Sequence, residues 1–310
     1  MITVAGFNTA IDRLVQLDAL VPGQVRRARA EQVYPGGKGV HVAQTIAALG
    51  ERVQLVGLVD APHRNLVGRR MSERGVLFHG VEVAGELRHC LALREDDGRI
   101  TEILGQGPQL SPAERDGLLR DFQRGVDESE LVILSGSLPG GFDTDIYAKL
   151  VQQVREAGKR CLVDASGEAL RQALSARPFL VKPNRDEAEA LLGRAVGDID
   201  AAVAALRELA ACGATMPVLS LGAQGALGMD DSGTWHAVVE LEQVRNAVGS
   251  GDCFLAGMAV AIRRGQPLRE ALRLAVACGA ANAMELETGY VFPDRVESLL
   301  GRVRVRAWKH

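Results

Sequence analysis

Short apolar runs alternate with longer amphipathic stretches along most of this chain. The runs 54–59, 131–135, 161–165, 179–182 and 217–221 are apolar at most positions. That pattern suits strands buried on both faces of a parallel sheet. Stretches 146–157 and 201–212 instead space their apolar residues helically, with Ile146, Leu150, Val151 and Val154 on one face of the first. The alternation predicts βαβ units, a doubly wound α/β sheet, and ligand sites at the C-terminal ends of its strands. Ser135, Ser137, Asn184 and Gly222 lie at such ends.

Two segments, 12–33 and 87–104, break the rhythm. They contain the β-rich pieces Leu14-Val-Gln-Leu, Cys90-Leu-Ala-Leu and Ile100-Thr-Glu-Ile-Leu, and Asp96-Asp97-Gly98 is a hairpin turn signal. No low-complexity linker or internal repeat divides the chain, so its 310 residues read as one large α/β domain with a small appendage. Hydrophobic residues make up 47% but aromatics only 4%, leaving Val, Leu and Ala to carry the packing. A net charge of −3 provides no basic field for nucleic acid or anionic lipid. The basic tail 302–310 is expected to be a solvated end. No secretory leader is visible after Met1, and no apolar stretch approaches the roughly 20 residues of a membrane span. The five cysteines, Cys90, Cys161, Cys212, Cys253 and Cys278, form no Cys-x-x-Cys pair and read as free thiols. A cytoplasmic location is expected.

The chemistry concentrates in two glycine-rich motifs. In Asn246-Ala-Val-Gly-Ser-Gly-Asp252, the small residues Gly249, Ser250 and Gly251 precede an acid and a helical pattern. Unpaired N–H groups at such a helix start can hold an anion. An acid beside that hole is useful if it takes a proton from a hydroxyl while a phosphoryl group transfers. The alternative is a helix cap, with Asp252 as the capping residue. Cys253 raises the further possibility of a nucleophilic thiol, although no cysteine–histidine motif accompanies it. In Tyr34-Pro-Gly-Gly-Lys-Gly-Val-His41, a glycine turn brings Lys38 to a second helix start. Val40 follows Gly39, so the spacing is not that of a P-loop. A tight turn with a surface lysine is the other reading. No Gly-x-Gly-x-x-Gly follows the first strand, which disfavours a nucleotide-binding dehydrogenase.

Together these motifs resemble the ribokinase-like carbohydrate kinases, the PfkB family. Gly36-Gly-Lys-Gly39 is similar to its N-terminal signature, and Gly249-Ser-Gly-Asp252 to its C-terminal Gly-Ala-Gly-Asp, with Ser250 for Ala. Phe7-Asn-Thr-Ala-Ile-Asp12, Leu134-Ser-Gly-Ser-Leu-Pro139, Lys182-Pro-Asn-Arg-Asp-Glu187 and Leu219-Ser-Leu-Gly-Ala-Gln-Gly225 follow in the family's order across essentially the whole chain. The 1-phosphofructokinase and tagatose-6-phosphate kinase branch is the nearest pattern.

The resemblance implies a ribokinase-like domain of residues 1–11, 34–86 and 105–310. It also implies a β-sheet lid of residues 12–33 and 87–104 that covers the sugar and packs on a second subunit as a homodimer; surface hairpins without a partner are the alternative. It implies ATP and Mg²⁺. Asp252 would be the general base, and N–H groups near Gly249, Ser250 and Gly251 would stabilise the transferring group. Asp12, Gly37, His41 and Ser137 would face the sugar, and Lys38 and Arg88 would receive a phosphate already on it. Asn184 and Glu187 would organise the metal through water, with helix capping as their alternative. Ser220, Gly222, Gly225 and Asn282 would lie on the nucleotide side, a simple helix contact being the alternative for Asn282.

The chain departs from the branch at His41, where Asn is usual, at Leu87 before Arg88, at Gly140, and at Asp60-Ala-Pro-His63. All but Gly140 bear on which sugar is bound. The implied reaction is ATP-dependent phosphorylation of fructose 1-phosphate, tagatose 6-phosphate or fructose 6-phosphate. The alternatives are a kinase of an unphosphorylated sugar or nucleoside, and a non-catalytic sugar–nucleotide sensor. A sensor has no need to keep Asp252, Asn184 and Glu187.

Overall fold

Each apolar run becomes a strand of one large sheet. In the computed structural model, which describes residues 1–308, the chain opens with β1 (Ile2–Gly6), β2 (Ala10–Gln16), β3 (Ala30–Gly36) and α1 (Lys38–Ala48). It continues through β4 (Val53–Asp60), α2 (Arg64–Glu73), β5 (Leu77–Val83), β6 (Arg88–Arg94) and β7 (Ile100–Leu104). Next come α3 (Pro112–Glu128), β8 (Leu131–Ser135), α4 (Ile146–Glu156), β9 (Arg160–Asp164), α5 (Gly167–Ser175), β10 (Leu180–Val181), α6 (Arg185–Leu192), α7 (Ile199–Ala211) and β11 (Met216–Ser220). The last third holds β12 (Ala226–Asp230), β13 (Gly233–Val238), α8 (Ser250–Arg263), α9 (Leu268–Ala283), α10 (Pro293–Leu300) and β14 (Arg304–Ala307).

Among the described residues the larger sheet has ten strands, ordered β14-β13-β12-β11-β10-β9-β8-β1-β4-β5. Pairing is parallel from β5 through β11 and antiparallel beyond it. β1, β4 and β8 are buried along their whole length, which is why their sequences are mainly apolar. The chain leaves β1 toward β4 on one side and later reaches β8 on the other. Ligand crevices form at such a reversal of strand order. β10 is only two residues long, shorter than the run 179–182, because Pro183 lacks a donor and restricts Lys182 before it.

The interrupting segments form a separate sheet of four strands, β3-β2-β6-β7. Its register places Asp12 opposite Tyr34 and Cys90 on one face. Arg13, Val33, Leu91 and Ile103 share the other. Val33 and Ile103 are exposed there, at 42% and 57%. One expectation changes at the C-terminal end. The antiparallel strands β12, β13 and β14 have no continuous apolar run, and the tail is not a free end: Arg304–Ala307 pairs with β13. Lys309 and His310 lie outside the described residues. No described helix is long and apolar enough to cross a membrane.

Candidate active site

The site runs along the C-terminal edge of the large sheet. Asn8, just after β1, donates from Nδ2 to Ser137 Oγ after β8 at 2.9 Å. Asp164 ends β9, Lys182 follows β10, and Ser220 ends β11 beside Asn184, to which it is bridged. Strand order therefore gathers in one row residues far apart in sequence.

α8 delivers the acid. Gly249 caps this helix in the left-handed region, φ 81°, and a Cβ there would lie 2.5 Å from Gly289 N, so only glycine fits. The Ser250 N–H is committed to Ala247 O at 3.1 Å and that of Asp252 to Gly249 O at 3.0 Å. The N–H groups of Gly249 and Gly251 have no acceptor among the described residues. Asp252 itself is buried, 6% exposed. The Lys182 ammonium lies 3.5 Å from where a Cβ on Gly251 would be, so a cation faces the same turn.

Lys38, at the start of α1, lies beside Asp164 Oδ1 at 3.1 Å and Glu187 Oε1 at 3.7 Å. Lys182 sits 3.2 Å from Asp164 Oδ2. Burial opposes the charge of Asp164, but Lys182 and Lys38 outweigh it and hold the carboxyl below the ordinary range. Burial also opposes the charge of Lys38, and Asp164, Asp252 and Glu187 outweigh it, raising its pKa. Lys38 therefore stays cationic. Arg88, the first residue of β6, donates from Nε to Asn8 O at 3.0 Å, and its Nη2 lies 3.5 Å from the position of a Cβ on Gly37. The two cations expected on one substrate phosphate thus have different neighbours.

His41 is buried between two acids: Nδ1 lies 2.8 Å from Asp252 Oδ2 and Nε2 3.1 Å from Asp12 Oδ2. Burial disfavours the charged ring, yet its bonds to Asp12 and Asp252 prevail and push the pKa up to about 10. Cys253 faces away, 3.3 Å from Thr45 Oγ1. Burial pushes its thiol far up, and a thiol that holds its proton is a poor nucleophile.

After β10, Asn184 caps α6: its side chain accepts the Glu187 N–H at 2.8 Å, while Glu187 Oε2 accepts the Asn184 N–H at 2.8 Å. That box leaves Glu187 Oε1 toward Lys38. Gly222 and Gly225 bound a short 3₁₀ turn after β11. Asn282 is wholly buried. It donates to Val248 O at 2.8 Å and Ser250 Oγ at 3.0 Å, and accepts from Gly289 N at 2.7 Å and Tyr290 N at 3.2 Å. It ties the α8 turn to the 288–290 loop. Asn8 and Lys182 fall inside quoted motifs without a role of their own, and Asp164 lies in an apolar run; the signal of all three is a polar residue closing or following an apolar strand.

A small four-stranded sheet accompanies the mostly parallel sheet, and an acid stands with N–H groups lacking a described acceptor at the start of α8. The chain belongs to the pfkB family of carbohydrate kinases, which matches residues 5–295, and is a phosphotransferase with an alcohol acceptor. It is 32% identical over 305 residues to the 1-phosphofructokinase of Bacillus subtilis (strain 168), covering 98% of this chain and 99% of that protein. The crystal structure of phosphofructokinase-2 from Escherichia coli in complex with substrates and products matches with a TM-score of 0.89 at 28% identity, over 97% of this chain and 98% of that one. Arabidopsis thaliana ribokinase, complexed with ribose and ATP, shares the fold at a TM-score of 0.78 and 21% identity, over 96% and 98%.

Proposed function

We propose that this kinase transfers the γ-phosphate of ATP to a hydroxyl of a ketohexose phosphate, with Asp252 as general base. One observation carries the reading: a buried carboxylate in the first turn of α8, beside the free N–H groups of Gly249 and Gly251 and the Lys182 ammonium. The hydroxyl proton passes to Asp252 as its oxygen attacks phosphorus. The two N–H groups, Lys182 and Lys38 face the charge that develops on the phosphoryl oxygens. Glu187 suits Mg²⁺, which is commonly held by one or two carboxylates, waters and substrate phosphates. Its Oε1 faces the lysine cluster while Oε2 stays in the helix cap. The metal, when bound, would neutralise phosphate charge. Ser220 and the Gly222–Gly225 turn would border the nucleotide.

Asp12 would hold sugar hydroxyls, since a carboxylate can accept several hydrogen bonds. Arg88 takes the phosphate already on the sugar, because Lys38 is occupied by Asp164 and Glu187. The likeness to 1-phosphofructokinase supports a phosphorylated acceptor. We place the enzyme in the cytoplasm, with ATP and sugar phosphates, and infer a homodimer through the outer face of the lid. The experiment is ATP turnover with fructose 1-phosphate, fructose 6-phosphate and tagatose 6-phosphate beside the free hexoses. One of the phosphates should be preferred in kcat/KM. Preference for a free sugar would replace this reading with that of a free-sugar kinase.

A further inference from the structure

We infer that His41 is a positioning residue: a doubly donating imidazolium that locks the base Asp252 and the sugar-side acid Asp12 into one unit. The inference rests on the reading of Asp252 as base. Both ring nitrogens meet carboxylate oxygens, at 2.8 Å and 3.1 Å. A neutral imidazole donates from only one nitrogen and would turn a lone pair on the other acid. The ring is cationic for that reason. Its place is built by the fold: Gly289 has φ 68°, and a Cβ there would lie 2.1 Å from His41 Cγ. Among the described residues Asp12 Oδ1 is buried without a partner, so Asp12 has one oxygen held by His41 and one left for substrate, while His41 meets a single oxygen, Oδ2, of Asp252.

The charged and titratable groups around the ring come from several elements. Asp12 lies on β2, Asp252 on α8 and Glu102 on β7. Tyr34 on β3 lies near Asp12, and Lys38 precedes His41 on α1 itself. Acids outnumber cations around the ring, and the bonds to Asp12 and Asp252 hold its proton against burial up to about pH 10. During transfer the sugar hydroxyl proton moves to the free oxygen of Asp252. The hydroxyl electron pair forms the new P–O bond, and the bond to the departing ADP breaks toward ADP. His41 keeps its proton throughout.

The test combines His41→Asn and His41→Gln with ring NMR on the wild type. An amide is uncharged, so the two acids lose the cation between them, and a cation beside a carboxylate favours its charged form. The acid limb of kcat/KM should move up by about one pH unit or more, and kcat should fall on the order of tenfold to a hundredfold. In the folded wild-type protein, which needs no variant, the His41 ring signals should stay those of imidazolium through pH 9. Titration of His41 near the ordinary 6.5, or variants whose pH profile keeps the wild-type shape, overturns the inference. If instead Asp252→Asn retains wild-type turnover, the base assignment fails, while the NMR result still decides the state of His41.

Discussion

Asp164 shows what a buried charge requires. Its carboxylate has no exposure, and it is tolerated because Lys182 and Lys38 flank it at 3.2 Å and 3.1 Å. Removing one partner of a buried ion pair leaves charge uncompensated and typically costs about 3–5 kcal/mol. Lys38 remains in Lys182→Met, so the expected loss is at the low end, about 3 kcal/mol, read from the urea midpoint at pH 7. The sign with pH follows from the lowered carboxyl: its stabilisation is present above the unfolded value of 3.8 and is lost as pH falls through the lower folded value. The gap between wild type and variant should therefore narrow under acid. An unchanged midpoint at pH 7 would show that the pair adds nothing. Legibility at this scale followed local motifs. Asp252, Lys38 and His41 sit in glycine-rich runs whose composition is itself unusual. Asp164 has only three apolar neighbours before it, and of the two lysines that give it meaning, Lys38 is 126 residues away. Asn282 was legible as a small-residue helix position, but its four hydrogen bonds bind loops that no local pattern joins.

At the scale of elements, the start of β6 is held by a clamp. Asp60, ending β4, accepts the Leu87 N–H at 2.8 Å and the His63 N–H at 2.9 Å, and holds His63 Nδ1 at 2.8 Å. Leu87 precedes Arg88, so the clamp fixes where β6 begins and where the guanidinium sits. A hydrogen bond to a charged group is worth about 1.5–3 kcal/mol. Asp60→Ala should raise KM for the sugar by tenfold or more, about 1.4 kcal/mol per decade, with KM for ATP unchanged. Equal KM values for the sugar would show that β6 is positioned without the clamp. Elements buried on both faces, such as β8, were readable because burial leaves a continuous apolar run. β5, whose residues are largely partly exposed, and the antiparallel β12–β14 carry mixed patterns. Pairing partners rather than composition define them.

For the molecule as a whole, the main sheet was legible from its alternation, and the separate small sheet from the way its two segments interrupt it. Strand order was not, because no local pattern says that β1 lies between β4 and β8. The outer face of the four-stranded sheet, with exposed Val33 and Ile103, is the surface we propose for a second copy of the chain. Val33→Glu with Ile103→Glu should convert a dimer to a monomer in sedimentation velocity, since charges on an apolar face remain unpaired when it is buried. A wild type that sediments as a monomer would contradict the assignment. The central claim is that Asp252 activates a hydroxyl of a phosphorylated sugar toward ATP. Phosphorus NMR of the products formed by wild type and Asp252→Asn from ATP with each ketohexose phosphate and free hexose tests it directly. Wild type should form a sugar bisphosphate, and the variant, folded, should turn over slower by on the order of 10²–10⁴. Turnover by Asp252→Asn within about threefold of wild type, or phosphorylation of the free hexose in preference, would contradict it.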